Sequence, residues 1–265
     1  MVELFISIIL GILQGFAEFL PISSSGHLVV GRNLFGLSEA GLLFDTMLHF
    51  GTFISVVIVF WEDIIQLIKR PFSKLTLLLI VGTIPAVIAA LLFEDFFEEI
   101  FQTGVTVGWA FLITGLILWF ADTKKEYGKK RIPQIKYSDA LIIGVLQSIA
   151  IIPGISRAGS TIAGSLFRGV HREEAARFSF LLSLPAIFGA VLLQSYKLFS
   201  GEQISSIETI GIIPLIVGTL VSAVIGYIAI KWMLKILKKG SLKVFSFYVW
   251  TLGILVLIFQ FTGKW

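Results

Sequence analysis

The sequence predicts an all-α polytopic membrane protein arranged as an inverted repeat, each half one re-entrant helical hairpin plus three transmembrane helices. Three observations carry this. The 265 residues are 56% hydrophobic and only 14% charged, with a mean hydropathy of +0.94, whereas a soluble domain carries about 25% charged residues. Apolar stretches of about 18–23 residues, long enough to cross a bilayer, recur along the chain. The motif Gly-x-Leu-Gln-x-x-Ala-x-x-x-x-Ile-Ser-x-x-Gly occurs twice, as Gly11, Leu13, Gln14, Ala17, Ile22, Ser23 and Gly26, then as Gly144, Leu146, Gln147, Ala150, Ile155, Ser156 and Gly159. Gln147 follows Gln14 by 133 residues, as Ser156 follows Ser23. Interrupted apolar segments at matching positions of two halves point to a binding site inside a membrane protein.

The first motif region, 3–36, holds two short apolar pieces around a Pro/Ser/Gly break. Each piece is about a dozen residues, near 20 Å as helix, too short for a hydrocarbon core of about 30 Å. It reads as a re-entrant hairpin, irregular backbone at membrane depth being tolerated only where protein or a wet cavity surrounds it. The start lacks basic residues and runs straight into the motif, so it does not read as a cleavable signal peptide. Spans follow at 42–61, 76–93 and 103–121, the last with an uncharged run from Val105 to Ala121. The second hairpin, 138–168, precedes spans at 175–197, 210–232 and 244–261. The whole is one membrane domain, 1–265, with halves at about 1–125 and 135–265.

Charge gives the orientation. Basic loops carry Lys69, Arg70 and Lys74; Lys124, Lys125, Lys129, Lys130, Arg131 and Lys136; and Lys231, Lys235, Lys238, Lys239 and Lys243. They alternate with acidic loops carrying Glu94, Asp95, Glu98 and Glu99, then Glu202 and Glu208. The positive-inside rule makes the basic loops cytoplasmic and puts both termini outside. Three spans per half is an odd number, so the second hairpin enters from the face opposite the first, and the two tips meet near the midplane. Reading the motif regions as kinked full spans would spoil the charge alternation. The pI of 9.3 is therefore a topology signal and no reason to expect nucleic acid. The absence of cysteine excludes disulfides and thiolate metal sites.

The first tip runs from Gln14 to His27. Gln14 and Glu18 share one helix face, and Glu18 lies amid Phe16, Phe19 and Leu20, where an ionisable group is a functional candidate. After Pro21, Ser23, Ser24 and Ser25 open a new half-helix, whose free N–H groups and dipole suit an anion. His27 falls in its first turn. The second tip brings Pro153, Gly154, Ser156, Arg157, Ser160 and Thr161. Gly154 allows close backbone approach to a ligand, and Arg157, which replaces Ser24 of the other copy, suits a bidentate grip on phosphate. Two helix N-termini and Arg157 make an anion site. Glu18 and His27 beside it add acid–base capacity, which describes phosphoryl transfer better than passive binding. The serines also read as caps or packing residues, and Glu18 as a structural partner of Arg157. Gln14 and Gln147 are expected to hydrogen-bond across the repeat interface. Asp45 and His49 either line the outward cavity or pair with each other. Arg168, His171, Arg172, Glu173, Glu174 and Arg177 read first as a cytoplasmic helix start.

At these residues the chain resembles the BacA/UppP family of undecaprenyl-diphosphate phosphatases over its whole length. The family's first signature is met by Gln14, Glu18, Pro21, Ser23, Ser24, Gly26 and His27, and its second by Pro153, Gly154, Ser156, Arg157 and Thr161. Ala158 departs from it, standing where the family usually has Ser; Gln14 is within the pattern but leaves one fewer carboxylate. The resemblance implies hydrolysis of undecaprenyl diphosphate to the monophosphate and inorganic phosphate on the outer face of the bacterial cytoplasmic membrane, a link to bacitracin resistance, and a divalent metal, Mg²⁺ or Ca²⁺. Glu18, Ser24, His27 and Arg157 are then the catalytic group. Gln14, Ser23, Ser25, Gly154, Ser156 and Thr161 contact substrate, and Glu18 with Gln14 meets the metal. Undecaprenyl diphosphate and membrane lipid are the expected partners, with a homodimer left open. Attack by Ser24 and attack by water both remain open, and the rival class is an inverted-repeat transporter or flippase.

Overall fold

The computed structural model describes residues 2–35, 41–123, 128–199, 211–239 and 241–265; Lys124, Lys125, Glu202 and Glu208 lie outside them. The described chain is helical, with no strand beyond one isolated bridge between Lys130 and Val170. The helices are α1 (Val2–Phe19), α2 (Ser24–Phe35), α3 (Gly41–Val59), α4 (Trp61–Lys69), α5 (Lys74–Leu92), α6 (Glu94–Thr103) and α7 (Val107–Asp122). A 3-10 turn at Ile132–Gln134 leads into α8 (Tyr137–Ile149), α9 (Arg157–Phe167), α10 (Arg172–Phe199), α11 (Ile212–Lys239) and α12 (Lys243–Phe261).

Each expected span coincides with a helix to within four residues, except that α11 runs on to Lys239, seven residues past the expected end at 232. Helices α5, α10, α11 and α12 are each long and apolar enough to cross a membrane alone. The third-span and first-span helices, α7 and α3, reach that only with their short companions α6 and α4, from which they bend by 103° and 84°. Among the described residues this makes five crossing-length helices, or up to seven counting each bent pair as one. Large apolar side chains such as Leu91, Leu192, Leu220 and Phe261 face outward, as lipid requires.

The motif pieces α2, α8 and α9 have 12, 13 and 11 residues, the short lengths expected. The first piece is a correction: α1 runs for 18 residues and is itself long enough to cross. No residue before Leu20 breaks it, and its interior glycine is held by packing. A Cβ on Gly11 would lie 2.6 Å from the Gly218 carbonyl of α11, so the small residue is what lets the two backbones approach. The matching glycine of the second copy, Gly144 of α8, meets Gly82 of α5 in the same way. Helix α1 thus packs on α11 and α8 on α5, while α7 packs on α12, and α3 lies against both α10 and α11.

Candidate active site

Both helix breaks follow from local chemistry. Pro21 ends α1 because it offers no N–H, and Ser23 then adopts φ +70°, the only left-handed non-glycine among the described residues. The Ser23 hydroxyl accepts from the Gly26 N–H at 3.3 Å and so caps α2. At the second break, Gly154 has φ +98°, and the Ser156 hydroxyl caps α9 by accepting from the Gly159 N–H at 3.0 Å. The two loops touch. The Gly154 N–H donates to the Ser23 hydroxyl at 3.2 Å, and a Cβ on Gly26 would lie 2.8 Å from the Gly154 Cα. Thr114 of α7 clamps the second loop, donating to the Gly154 carbonyl at 2.8 Å and accepting from the Ser156 N–H at 3.0 Å.

This contact brings Glu18, at the end of α1, onto Arg157, at the start of α9. One Glu18 oxygen is paired with the Arg157 guanidinium. The other accepts from the Ser24 hydroxyl at 2.6 Å and from the Gln14 amide at 3.0 Å, and lies 3.4 Å from His49 Nε2. Arg157 is held from behind by donating to the Ser179 carbonyl at 3.2 Å. His49 Nδ1 bonds the Asp45 carbonyl at 2.7 Å; a carbonyl only accepts, so Nδ1 carries the proton and Nε2 faces Glu18. Arg32 of α2 lies 3.4 Å from the Asp45 carboxylate. A cavity of about 300 Å³ opens over this group. One wall is polar, with Glu18, Ser23, Ser24, Ser25, Asp45, His49 and Arg157; the other is apolar, with Phe101, Ile151, Ile187 and Leu193. The result is a serine hydroxyl on a carboxylate, the carboxylate fixed by a cation, under a space with one polar and one apolar wall.

Residues 7–255 match the family model of bacitracin resistance protein BacA. The chain belongs to the BacA family. It is 58% identical over 254 residues to undecaprenyl-diphosphatase 3 of Bacillus cereus, covering 96% of each chain. Proteins named undecaprenyl-diphosphatase from Carboxydothermus hydrogenoformans and Halothermothrix orenii are 49% and 47% identical, each aligned over 97% or more of both chains.

The candidate site residues of this BacA-family chain divide by position. Glu18, Ser23, Ser24, Ser25 and Arg157 line the cavity. Gly154, Ser156 and Thr161 lie beneath it, and their bonds support the tips: Thr161 donates to the Arg157 carbonyl at 2.8 Å and meets the Ser179 hydroxyl at 2.6 Å. His27 is buried behind the serine loop, with Nδ1 donating to the Ser23 carbonyl at 2.7 Å and Nε2 accepting from the Tyr248 hydroxyl at 2.8 Å. The Tyr248 ring stacks on it, 5.7 Å between centroids. Ala158, the departure from the BacA pattern, is buried. The expectation that both glutamines bond across the repeat interface needs correction. Gln147 does reach Gly82 of the other half, at 3.5 Å, but Gln14 bonds Glu18 of its own helix, because the four-residue spacing puts that carboxylate nearer than any group opposite. Asp45 and His49 line the cavity as well as bonding each other. The 168–177 segment is tied down by ion pairs of Arg168 with Asp139, Arg172 with Asp122 and Arg177 with Asp63.

Sequence reading missed Thr114, Ser179 and Tyr248, single polar groups in apolar spans with no motif around them. For the last, replacing Tyr248 by Phe leaves the buried His27 Nε2 without its donor. A loss of about 1–3 kcal/mol in unfolding stability is expected, readable as a lowered melting point of the detergent-solubilised protein. An unchanged melting point would mean that the bond does not form in solution.

Proposed function

We propose that this protein is an integral membrane phosphatase that hydrolyses undecaprenyl diphosphate to undecaprenyl phosphate and inorganic phosphate. In the bacterial cytoplasmic membrane this recycles the cell-wall lipid carrier and confers bacitracin resistance. The single observation that carries the reading is the Ser24 hydroxyl 2.6 Å from a Glu18 oxygen whose partner oxygen is held by Arg157.

In this reading Arg157 leaves Glu18 in part to grip the diphosphate, aided by free N–H groups at the starts of α2 and α9. The Ser24 oxygen attacks the terminal phosphorus as Glu18 takes its proton. The bond from that phosphorus to the bridging oxygen breaks, Glu18 passes its proton to the departing oxygen and is a carboxylate again, and undecaprenyl phosphate leaves. Water, deprotonated by Glu18, then cleaves the seryl phosphate and frees inorganic phosphate. The prenyl chain runs along the apolar wall, and His27 fixes the serine loop through the Ser23 carbonyl.

A divalent metal, Mg²⁺ or Ca²⁺, fits this set by donor type. Among the described residues no three His, Asp or Glu are grouped to hold an ion, but the Gln14 amide oxygen is buried without a partner one turn from Glu18. One carboxylate and one amide oxygen suit a hard cation whose remaining ligands are phosphate oxygens and water. Held by Glu18 and Gln14, the metal would supply neutralisation of the diphosphate charge.

The same reading takes the chain as an inverted repeat of two re-entrant hairpins, with the site open to the outer face. The fixed 133-residue motif offset, the paired contacts of Gly11 with Gly218 and of Gly144 with Gly82, and the touching tips support it.

Purified protein is expected to release phosphate from undecaprenyl diphosphate, to lose that activity with EDTA, and to yield a phosphoserine that maps to Ser24. Full activity in Ser24→Ala would transfer the attack to water. No release from well-folded wild type would instead favour the transporter reading.

A further inference from the structure

A second amphiphile-shaped site lies away from the catalytic cavity, on the basic-loop side of the molecule. A cavity of about 370 Å³ there is lined by Arg70, Arg131 and Arg177 together with Asp63 and Glu174. Arg177 pairs with Asp63, and Arg131 lies 3.4 Å from Glu174, whose other oxygen accepts from the Ile132 N–H at 3.3 Å. These contacts hold two guanidiniums in place, and among the described residues no carboxylate pairs with Arg70. Three guanidiniums against two carboxylates leave one net positive charge in the cavity, with fork geometry suited to phosphate oxygens.

A trough of about 450 Å³ adjoins it, between α5 and α10. Leu67 lines both spaces, and Thr76 of the trough follows Leu75 of the arginine cavity. The trough is walled by Leu79, Ile80, Ile84, Ile88 and Leu184. From Thr76 to Ile88 it follows α5 for about 18 Å at helical rise, roughly half a hydrocarbon core of about 30 Å. Its inner end, at Pro185, adjoins Ala186 and Ile187 of the catalytic cavity wall, so α10 separates the two spaces. The rim of the arginine cavity has the character of an interfacial segment. Helix α4, which forms its rim, bends 84° from α3 and exposes Trp61 and Ile68, followed by exposed Phe72, as an interfacial helix does.

We propose that this continuous groove binds an anionic phospholipid of the leaflet on the basic-loop side. Its phosphate sits among Arg70, Arg131 and Arg177, and one acyl chain lies along α5. Besides the two carboxylates paired with Arg131 and Arg177, the groove offers guanidinium charge, the Gln66 amide, serine and threonine hydroxyls and aliphatic surface. That is enough to select a phosphate headgroup with a chain. The inference stands apart from the phosphatase reading, since none of these residues lines the catalytic cavity.

The test is native mass spectrometry of delipidated protein in neutral detergent, titrated with phosphatidylglycerol, phosphatidylcholine of the same chains, or inorganic phosphate. Wild type should retain phosphatidylglycerol over phosphatidylcholine by roughly tenfold, the scale of one charge-assisted contact. Arg70→Gln should erase that preference, and Ile84→Trp, which fills the trough, should weaken retention of both lipids. Phosphate release by both variants should stay near the wild-type rate, which also verifies that they fold. Equal retention of the two lipids by wild type would overturn the proposal, as would unchanged preference in Arg70→Gln. Unchanged retention in Ile84→Trp, or displacement of the lipid by inorganic phosphate, would reduce the site to a plain anion pocket and overturn it equally.

Discussion

Replacing Glu18 by Gln is expected to lower phosphate release by roughly 10²–10⁴-fold, the usual contribution of a positioned general base, with little loss of fold. Gln keeps the shape and can still accept from Ser24, but it cannot take the proton. Arg157→Ala should cost a similar factor, because it removes the cation that meets the developing charge. Its effect on stability should differ sharply. Glu18 is 6% exposed and the Arg157 side chain 17%, so removing the arginine strands a buried carboxylate, at a cost of about 3–5 kcal/mol. The double variant Glu18→Gln with Arg157→Met should recover most of that stability and none of the activity. Activity losses in the double variant should not multiply, since the two residues act on one step. Rates and unfolding midpoints of the three variants check this together. If Glu18→Gln retains wild-type turnover, the pair is a structural ion pair and the base lies elsewhere.

Gly154→Val should be among the most destabilising single changes outside the ion pairs. At φ +98° a β-branched residue is strained by about 1–3 kcal/mol. Its Cβ would also lie 2.6 Å from the Ala110 Cβ and 2.8 Å from the Val107 carbonyl, and overpacking of that kind adds about 1–3 kcal/mol. The N–H bond to Ser23 ties the strain to the serine loop, so on the proposed mechanism activity should fall with stability. Gly189→Ala is the control. Nothing lies within 4 Å of its added Cβ and it sits in α10, so a gain of up to about 1 kcal/mol is expected there. Thermal unfolding of the two variants in one detergent separates the cases. Equal midpoints would show that the tips do not touch as described.

Much of this was legible in the chain. Spans declare themselves because lipid tolerates only apolar side chains over a fixed thickness, and α5, α10, α11 and α12 fall where hydropathy put them. The breaks at Pro21 and Pro153 were legible because proline and left-handed backbone stop a helix whatever surrounds it. The length of α1 was not, because what holds it as one helix through Gly11 and Gly15 is the close packing of α11 against both, a tertiary contact. The place of His27 was not legible either. Its spacing puts it in the first turn of α2, but its direction is set by Tyr248, 221 residues later. Ser179 and Thr114 are hydroxyls within apolar spans, outside either repeated motif.

By itself, then, the sequence determined the membrane class and the paired breaks with Glu18, Ser24 and Arg157 beside them, since each depends on short-range chemistry: hydropathy over one helix, a proline, a motif. Only the tertiary structure decided that Glu18 and Arg157, 139 residues apart, form one pair, that Asp45 and His49 join them on the cavity wall, and that Gly154, Ser156 and Thr161 lie beneath it. Those facts depend on how closely two helix tips approach, and that is set by the space between Gly26 and Gly154, a property of two backbones together that neither segment carries alone.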